Sequence, residues 1–448
     1  MKNNKIFKML PLVALLSVAT GALVACGGGN NQSSQTTSVY VPTLNQTVTV
    51  TPITEEFNTH PDAVDTFMAC EHSEIGSVSS ASLKANTLTL NWEAEGDDTV
   101  EKFKVELAEN ENIDNPLVYE VDASKKSLDI TNLKVGTTYY WRVTAIAGDK
   151  DARSEVSSFQ TKAGPVRIMN VGGVNNVRDM GGWVTEDGKV VKQGLAFRGG
   201  EFNKQNNTSF DPDEEVERAK EKPYGMNVTE DGVRVIKEEM KLKTEIDLRG
   251  YEEYNYIEGY TYDGVKTNFI YQNPKPKEIG GLSEGHGLWE DINYVLAPVD
   301  TNGSGDTRIY RHDYGKAAVK KIFTVFADEA NYPIYYHCAQ GKDRTGFVGS
   351  LLMSFLGCKW DDILRDYMFS KMTGQSVTYA NVWNDSTEDH KGKNYDYLSY
   401  LYGIDCGGDN LPKATDSNTV AERANAYLLS CGLTQDQLDN IRTIFLGD

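Results

Sequence analysis

The sequence YYHCAQGKDRTG, residues 335–346, decides the fold of the larger part of this chain. It continues YPIYY (332–336), for which we predict a short buried strand, and leads into RTGFVGSLLMSFLG (344–357), for which we predict an apolar helix. Cys338 and Arg344 bound the loop between them. A strand, a tight loop and a helix in this order form an anion cradle, because loop N–H groups and the helix N-terminus direct partial positive charge at one point.

The side chains of this loop suit a phosphoryl group. Gly341 lets the chain turn without a side-chain clash, and the planar guanidinium of Arg344 can bind two phosphate oxygens. In such a field the thiol of Cys338 loses its proton below its ordinary pKa of about 8.5. A thiolate at the bottom of a phosphate cradle is a nucleophile aimed at phosphorus.

Length and charge limit the classes of protein to consider. With 448 residues the chain predicts two or three domains, and 39 % hydrophobic with 25 % charged residues is typical of globular proteins. The formal net charge of −20 argues against a nucleic-acid partner, since phosphate backbones bind basic surfaces.

The first 26 residues have the parts of an export signal. Lys2, Lys5 and Lys8 precede an apolar run that ends at Cys26. The ending LVAC resembles the bacterial lipobox, which implies cleavage before Cys26, its lipidation and an exported protein anchored to a membrane. A plain secreted protein and a transmembrane anchor are the alternatives. For residues 27–75, rich in Gly, Asn, Gln, Ser and Thr, we predict a flexible tether.

Residues 76–162 alternate between apolar and polar in short runs, which predicts an all-β sandwich. In TTYYWRVTAIAG (137–148), alternate residues from Tyr139 onward share one face. The segment resembles fibronectin type III domains, with Leu133 and Tyr139 at the tyrosine-corner positions and Trp92 as the core tryptophan. We interpret it as a spacer or as a module that contacts protein or glycan.

Residues 163–448 mix strand and helix patterns, which predicts an α/β domain. TEIDLRG (244–250) is typical of a buried strand and KAAVKKIFTVFADEA (316–330) of a helix with one apolar face. We predict loops or insertions for the polar, glycine-rich stretches, which are 200–230, 272–310 and 375–420.

The segment HCAQGKDRTG (337–346) matches the H-C-x-x-G-x-x-R-T signature of cysteine-dependent protein tyrosine phosphatases. The GKDRTG form resembles a bacterial branch of secreted or lipid-anchored enzymes that act on phosphotyrosine and often on phosphoinositides. Other segments resemble elements of this branch in the same order; they are NNVRDMGGW (175–183), GLAFRGGEF (194–202), IDLRGYEE (246–253) and FLGCKWDDILRDYMFS (355–370).

The resemblance implies a role for each residue of the signature. Cys338 is the nucleophile that forms a cysteinyl-phosphate, Arg344 binds the phosphoryl group, and Thr345 assists departure of the thiolate. His337 orients the loop. The residues that surround the phosphate are then Ala339, Gln340, Gly341, Lys342, Arg344 and Gly346. No metal or organic cofactor is implied.

Such phosphatases also need an acid for the leaving oxygen. Many members supply it from a W-P-D loop, which this sequence lacks, whereas the bacterial branch uses the aspartate inside the signature, here Asp343. Asp313 and Asp291 are the alternatives. A structural ion pair is the competing interpretation of Asp343.

Further residues are predicted to support the site. Glu253, or its neighbour Glu252, resembles the carboxylate that fixes the signature arginine. Lys342 suits a substrate with additional negative charge, although a solvated lysine explains it equally well. We expect bracing contacts from Asp247, Arg249, Arg178, Asp179 and Arg198.

The remaining cysteines give weaker expectations. Cys358 is expected in the core, with a reversible bond to Cys338 as the alternative. The spacing leaves open a disulfide between Cys406 and Cys431.

Two rival functions remain open from the sequence. One is a phytase-like inositol polyphosphatase, because those exported enzymes share H-C-x-x-G-x-x-R. The other is a non-catalytic phospho-binding or adhesion lipoprotein that acts through its sandwich domain. The expected substrate is a phosphorylated protein or a phosphoinositide.

Overall fold

The computed structural model describes residues 36–42, 44, 47–51, 84–96, 98–202, 228–248, 261–262, 265–266, 291–297, 299, 313–338, 340–372 and 419–447. Two domains follow each other along the chain, an all-β sandwich and a larger α/β domain. Within these ranges no helix is both long and apolar enough to cross a membrane.

Ten short strands form the sandwich. They are β1 (Ser38–Tyr40), β2 (Thr47–Val48), β3 (Leu88–Asn91), β4 (Glu93–Glu95), β5 (Lys102–Ala108), β6 (Leu117–Asp122), β7 (Ser127–Ile130), β8 (Thr138–Ile146), β9 (Ala152–Arg153) and β10 (Ser157–Thr161). One sheet has the order β2-β10-β8-β5-β6, with β9 paired to β8, and the pairs β1–β4 and β3–β7 lie apart from it.

The core of the sandwich is the one that the alternating sequence predicts. Trp141 and Val143 are fully buried, and Trp92 packs edge-on against Phe103 with 5.4 Å between ring centroids. The hydroxyl of Tyr139 accepts the backbone N–H of Lys134 at 2.8 Å, which makes the predicted tyrosine corner.

The structure differs from the flexible tether predicted over 27–75. Ser38–Tyr40 pairs with β4, Thr47–Val48 pairs with β10, and Val39 and Val50 are buried in the sandwich core. Strands of two or three residues are too short to show a period in the sequence, so only the polar composition was visible there.

Seven strands belong to the α/β domain: β11 (Arg178–Asp179), β12 (Ala196–Gly199), β13 (Thr244–Asp247), β14 (Thr261–Tyr262), β15 (Val265–Lys266), β16 (Asn293–Leu296) and β17 (Ile334–His337). The main sheet has the order β11-β12-β17-β13-β16, with β14–β15 as a separate pair. Strands β12, β17, β13 and β16 are parallel and β11 is antiparallel at one edge. The central strand β17 therefore delivers the signature loop to the carboxyl edge of the sheet, where open α/β sheets bind ligands.

Six α-helices are described: α1 (Glu230–Arg234), α2 (Asp313–Phe326), α3 (Asp343–Leu356), α4 (Trp360–Met372), α5 (Val420–Ser430) and α6 (Gln435–Leu446). A π-helical turn (Val235–Glu239) continues α1, and a 3₁₀ turn (Glu329–Asn331) leads into β17. Capping boxes at Thr419 and Thr434 start the last two helices.

Both faces of the main sheet are covered, and β17 shows how. Ile334 and Tyr336 point into a core shared with Phe326 and Val348 of the flanking helices. Tyr335 points to the other side, where its ring stacks on Phe202 at 4.3 Å between centroids. This two-sided burial explains why β17 is a continuous apolar run rather than an alternating one.

Candidate active site

The signature loop places Cys338 at the start of a helix. Cys338 directly follows β17, and α3 begins five residues later at Asp343. In the described part of the chain no side chain caps this helix. The sulfur of Cys338 instead faces the backbone N–H groups of Lys342 and Thr345, which act as donors to it at the N-terminus of the helix.

This environment favours the thiolate of Cys338. Its side chain is buried, with 3 % of the residue exposed, and burial alone raises the pKa of the thiol. The positive charge of Arg344 and the hydrogen bonds from Thr345 and Lys342 act in the opposite direction and outweigh burial. The pKa of Cys338 therefore lies below its ordinary value, as the sequence predicts for a nucleophile.

Gly341 is required by both its conformation and its packing. Its φ of +67° lies in the left-handed region, and a Cβ atom there would lie 2.2 Å from the carbonyl oxygen of Gly199. The loop therefore packs directly against the end of β12, and a side chain would push it out of place.

Two side chains hold the carbonyl groups of the loop. The Asn176 amide donates to the carbonyl oxygens of Gln340 at 3.2 Å and Gly341 at 2.9 Å, and Arg198 Nη2 donates to that of Gly341 at 3.1 Å. In a planar trans peptide the C=O and the following N–H point in opposite directions. Fixing the Gly341 carbonyl on the protein side thus turns the Lys342 N–H toward the sulfur.

A buried charge network supports Asn176. Arg178 and Arg198 lie opposite each other on β11 and β12, and both donate to the carboxylate of Asp366, at 2.7 and 2.5 Å. Both also donate to the Ser370 hydroxyl, and Arg178 donates to Asn176 Oδ1 at 2.5 Å. These three charged side chains are fully buried, where each needs its partner, because an unpaired buried charge is strongly destabilising.

The charges in this network keep Asp366 ionised and Arg178 protonated. Burial raises the pKa of Asp366, but the two arginines outweigh burial and lower it. Burial and the neighbouring Arg198 lower the pKa of Arg178 to about 10, so Arg178 remains a cation at neutral pH. The carboxylate therefore stays ionised and keeps both guanidinium groups in place beneath the loop.

His337 orients the first residue of the loop. Its Nδ1 lies 3.2 Å from the Cys338 carbonyl oxygen, which can only accept, and its Nε2 lies 2.9 Å from Glu245 Oε1. The ring also packs against Phe202 and Tyr335. Glu245, on the neighbouring strand β13, thereby fixes the ring that contacts the nucleophile's backbone.

The other predicted loop residues differ in how far they are exposed. Gln340 is exposed, Lys342, Asp343 and Arg344 are half-buried, and Thr345 is buried. At Gly346 a Cβ atom would lie 2.9 Å from the ring of Tyr367, so this glycine lets α4 pack against the start of α3. Ala339 lies outside the described residues.

The supporting residues have separate positions. Asp247 is buried beside His337 in register and accepts the Tyr294 hydroxyl at 2.9 Å. Asp179 does not brace the loop directly: it accepts the Arg167 guanidinium and the N–H groups of Gly181 and Gly194. The remaining predicted residues lie outside the described residues; they are Glu252, Glu253, Arg249, Cys26 and Cys406.

The three candidate acids lie at different places. Asp343 is the first residue of α3, within the loop region. Asp291 is exposed, pairs with Lys237 at 3.0 Å, and precedes β16, so it lies at the opposite edge of the sheet from Cys338. The structure thus removes Asp291 as a candidate. Asp313 opens α2, and its side chain is not described.

The two other described cysteines are buried and free. Cys358 follows the far end of the 14-residue helix α3, which spans about 21 Å, whereas disulfide-bonded Cα atoms lie within about 7 Å. The alternative bond between Cys358 and Cys338 is therefore wrong. Burial raises the pKa of Cys431 to about 11, which also makes this thiol unreactive.

Sequence reasoning missed several residues of the site. Asn176, Asp366 and Ser370 lie within segments that resemble the family, but their residue types alone do not indicate what they contact. Glu245 lies in the buried strand β13, and its partner His337 is 92 residues away, so no local pattern indicates their contact. Among the described residues no group of His, Cys, Asp and Glu side chains could hold a metal ion.

Comparison with known families matches both domains. The model of the tyrosine phosphatase family matches residues 169–211 and 225–447, more than half of the chain. The fibronectin type III model matches residues 73–160. The all-β sandwich followed by an α/β phosphatase domain is therefore confirmed as the fold class.

Similarity to individual proteins is local. A tyrosine-protein phosphatase of Cupriavidus necator is 51 % identical over 37 residues, and the triple specificity protein phosphatase PtpB of Mycobacterium tuberculosis is 42 % identical over 53 residues. These matches cover 8 % and 12 % of this chain, and the chain spans only 14 % and 18 % of the lengths of these relatives.

Solved structures show weaker likeness. The core catalytic domain of the PP-IP phosphatase SIW14 from S. cerevisiae is 17 % identical, with a TM-score of 0.20, over 38 % of this chain and 81 % of that one. A myokine structure is 22 % identical, with a TM-score of 0.16, over 20 % of this chain and 95 % of that one.

Proposed function

This chain belongs to the tyrosine phosphatase family, and we propose that it hydrolyses phosphomonoesters through a cysteinyl-phosphate intermediate. The observation that carries the proposal is the position of Cys338, whose sulfur lies under the N–H groups of Lys342 and Thr345 and in the field of Arg344. This arrangement supplies both an ionised nucleophile and a set of donors for a phosphate group.

The reaction would proceed in two steps. The Cys338 thiolate attacks phosphorus, an S–P bond forms, and the P–O bond to the leaving group breaks while Asp343 protonates the departing oxygen. Water then attacks the cysteinyl-phosphate, giving a proton to Asp343, and the S–P bond breaks with the thiolate as leaving group. Arg344 and the loop N–H groups bind the equatorial oxygens in both transition states.

The direction of the thiol pKa sets the expected pH dependence. The thiol pKa is lowered, so the thiolate predominates at pH values above that lowered pKa and is lost as the pH falls through it. The acid limb of kcat/KM should therefore lie below the value of about 8.5 typical of a free cysteine.

For the substrate we propose phosphotyrosine proteins, with phosphoserine or phosphothreonine as further protein substrates, and phosphoinositides. The half-buried Lys342 of the signature loop supports a substrate with an additional negative charge, as does the resemblance of GKDRTG to the phosphoinositide-active branch. The sandwich domain's contact with protein or glycan stays a prediction.

A substrate panel tests the activity and its class together. We expect hydrolysis of p-nitrophenyl phosphate that vanadate inhibits and EDTA does not, with faster turnover of phosphotyrosine peptides or phosphoinositides than of phosphoserine peptides. Phytate is included to test for a phytase-like enzyme. Much faster release of phosphate from phytate than from phosphotyrosine peptides or phosphoinositides would overturn the proposed substrate class. Absence of hydrolysis in every arm would favour a phospho-binding protein.

We propose further that the protein is an exported lipoprotein anchored through Cys26, as the ending LVAC suggests. In a bacterial host the full-length protein should fractionate with membranes, and Cys26→Ser should move it to the soluble fraction or block its processing. Equal membrane association of both forms would contradict lipid anchoring.

A further inference from the structure

One residue of the sandwich, Asn132, contacts the α/β domain through several polar groups. Asn132 lies in the loop between β7 and β8 with a left-handed φ of 61°, and 3 % of it is exposed. Its Oδ1 accepts the N–H of Asn170 at 2.6 Å, and its Nδ2 donates to Glu239 Oε2 at 2.7 Å. Its carbonyl oxygen accepts Arg167 Nη2 at 2.6 Å.

Two reciprocal amide contacts fix the same interface. The Gln193 side chain both accepts from the Val135 N–H and donates to the Val135 carbonyl, each at 2.9 Å. The Asn170 side chain does the same with Ala85, at 3.0 and 3.1 Å. A pair of reciprocal bonds fixes both distance and orientation, so these contacts hold the sandwich against the α/β domain in one arrangement.

Arg167 carries this contact into the α/β domain. It lies between the segments that the two family models match, and it is buried. Its Nε donates to the Leu133 carbonyl at 3.1 Å, while its Nη1 donates to Asp179 Oδ2 at 2.6 Å. The guanidinium therefore ties the sandwich loop to edge strand β11.

Strand β11 in turn supports the signature loop. The residue next to Asp179 is Arg178, which donates to Asn176, and Asn176 holds the Gln340 and Gly341 carbonyls. A displacement of β11 would move Asn176 and turn the Lys342 N–H away from the sulfur. Each link in this series is a hydrogen bond or a covalent step along the chain.

We propose that the fibronectin type III domain helps to position the signature loop for catalysis, with Asn132 as the positioning residue. The inference rests on the proposed phosphatase function. It assigns the sandwich a role in the reaction of its neighbour in the same chain, in addition to any contact with other molecules.

The test uses Asn132→Gly in the full chain. Glycine keeps the left-handed backbone and its carbonyl group, and it removes the side-chain bonds to Asn170 and Glu239 that hold this carbonyl in place for Arg167. We expect kcat/KM for p-nitrophenyl phosphate to fall about three- to tenfold, which lies within the range of indirect coupling. The dissociation constant of tungstate should rise by a similar factor. The pKa of the Cys338 thiol, measured from the pH dependence of its alkylation by iodoacetamide, should rise.

Two comparisons separate positioning from stability. Asn115→Gly is the matched control, because Asn115 is also left-handed, with φ 50°, but is exposed; it should leave all three readouts unchanged. Asn132→Asp places two carboxylates together, and adding Glu239→Gln should restore activity, because the amide then donates to the new carboxylate.

The outcomes are distinct for the two proposals. If Asn132→Gly matches Asn115→Gly in turnover, tungstate binding and thiol pKa, the positioning role is wrong. If Asn132→Gly fails to fold, rescue of Asn132→Asp by Glu239→Gln decides instead, and lack of rescue overturns the inference. If the wild-type protein hydrolyses nothing, the phosphatase proposal fails, while the thiol pKa still tests the link between the domains.

Discussion

Replacing Cys338 with serine is expected to lower kcat for p-nitrophenyl phosphate by about 10⁴-fold or more. A serine hydroxyl is not ionised near neutral pH, and donors that stabilise a thiolate in this loop cannot bring it close to ionisation. The N–H groups of Lys342 and Thr345 and the charge of Arg344 remain in place. Tungstate should therefore bind to the variant within a few-fold of its affinity for the wild-type protein.

Cys431→Ser is the matched control for this substitution. Cys431 is a buried free thiol at the end of α5, and it lies outside the site. The Cys431→Ser variant should lose some stability and no more than a small part of its activity. If Cys338→Ser kept the wild-type kcat, the cysteinyl-phosphate mechanism would be wrong, and if it lost tungstate binding as well, the loop itself would have been disturbed.

The fold of the signature loop could be predicted because its information is local. A strand, a glycine that turns the chain and a helix start follow one another within 335–346, and each has a residue pattern that sequence shows. The tyrosine corner at Tyr139 is local in the same sense, since its partner Lys134 is five residues away.

The bracing role of Arg178 and Arg198 is expected from the sequence, but their partners could not be predicted, because the contacts join distant segments. Arg178 and Asp366 are 188 residues apart, and Asn176 and Gly341 are 165 apart. Neither segment alone contains a pattern that predicts the contact between them. Only the three-dimensional packing of β11 against β12 and α4 brings two arginines onto one carboxylate.

The same reasoning applies to the sandwich domain. Its interior follows from alternation, but its contact with the α/β domain depends on single polar residues such as Asn132 and Arg167. A polar residue in a turn predicts the turn itself and gives no signal of a partner. The sequence therefore indicates a spacer or a module that contacts protein or glycan, and the hydrogen bonds at the interface add a contact within the chain itself.

The identity of the acid is open to a direct measurement. Asp343→Asn is expected to slow hydrolysis of phenyl phosphate, whose leaving group is poor, by about 10²- to 10³-fold. The effect on p-nitrophenyl phosphate should be smaller, because nitrophenolate leaves without full protonation. Tungstate binding should change little, since the substitution keeps Arg344 and the backbone N–H groups of Lys342 and Thr345 beside the sulfur.

Parallel variants make this assignment decisive. Asp291→Asn is the control, because its exposed carboxylate pairs with Lys237 at the opposite edge of the sheet, and it should leave both rates unchanged. A loss confined to poor leaving groups in Asp313→Asn rather than Asp343→Asn would move the acid to the start of α2. An equal loss for both leaving groups in Asp343→Asn would instead indicate an ion pair that shapes the loop. The dependence of the loss on the leaving group, more than its size, therefore identifies the residue that gives the proton.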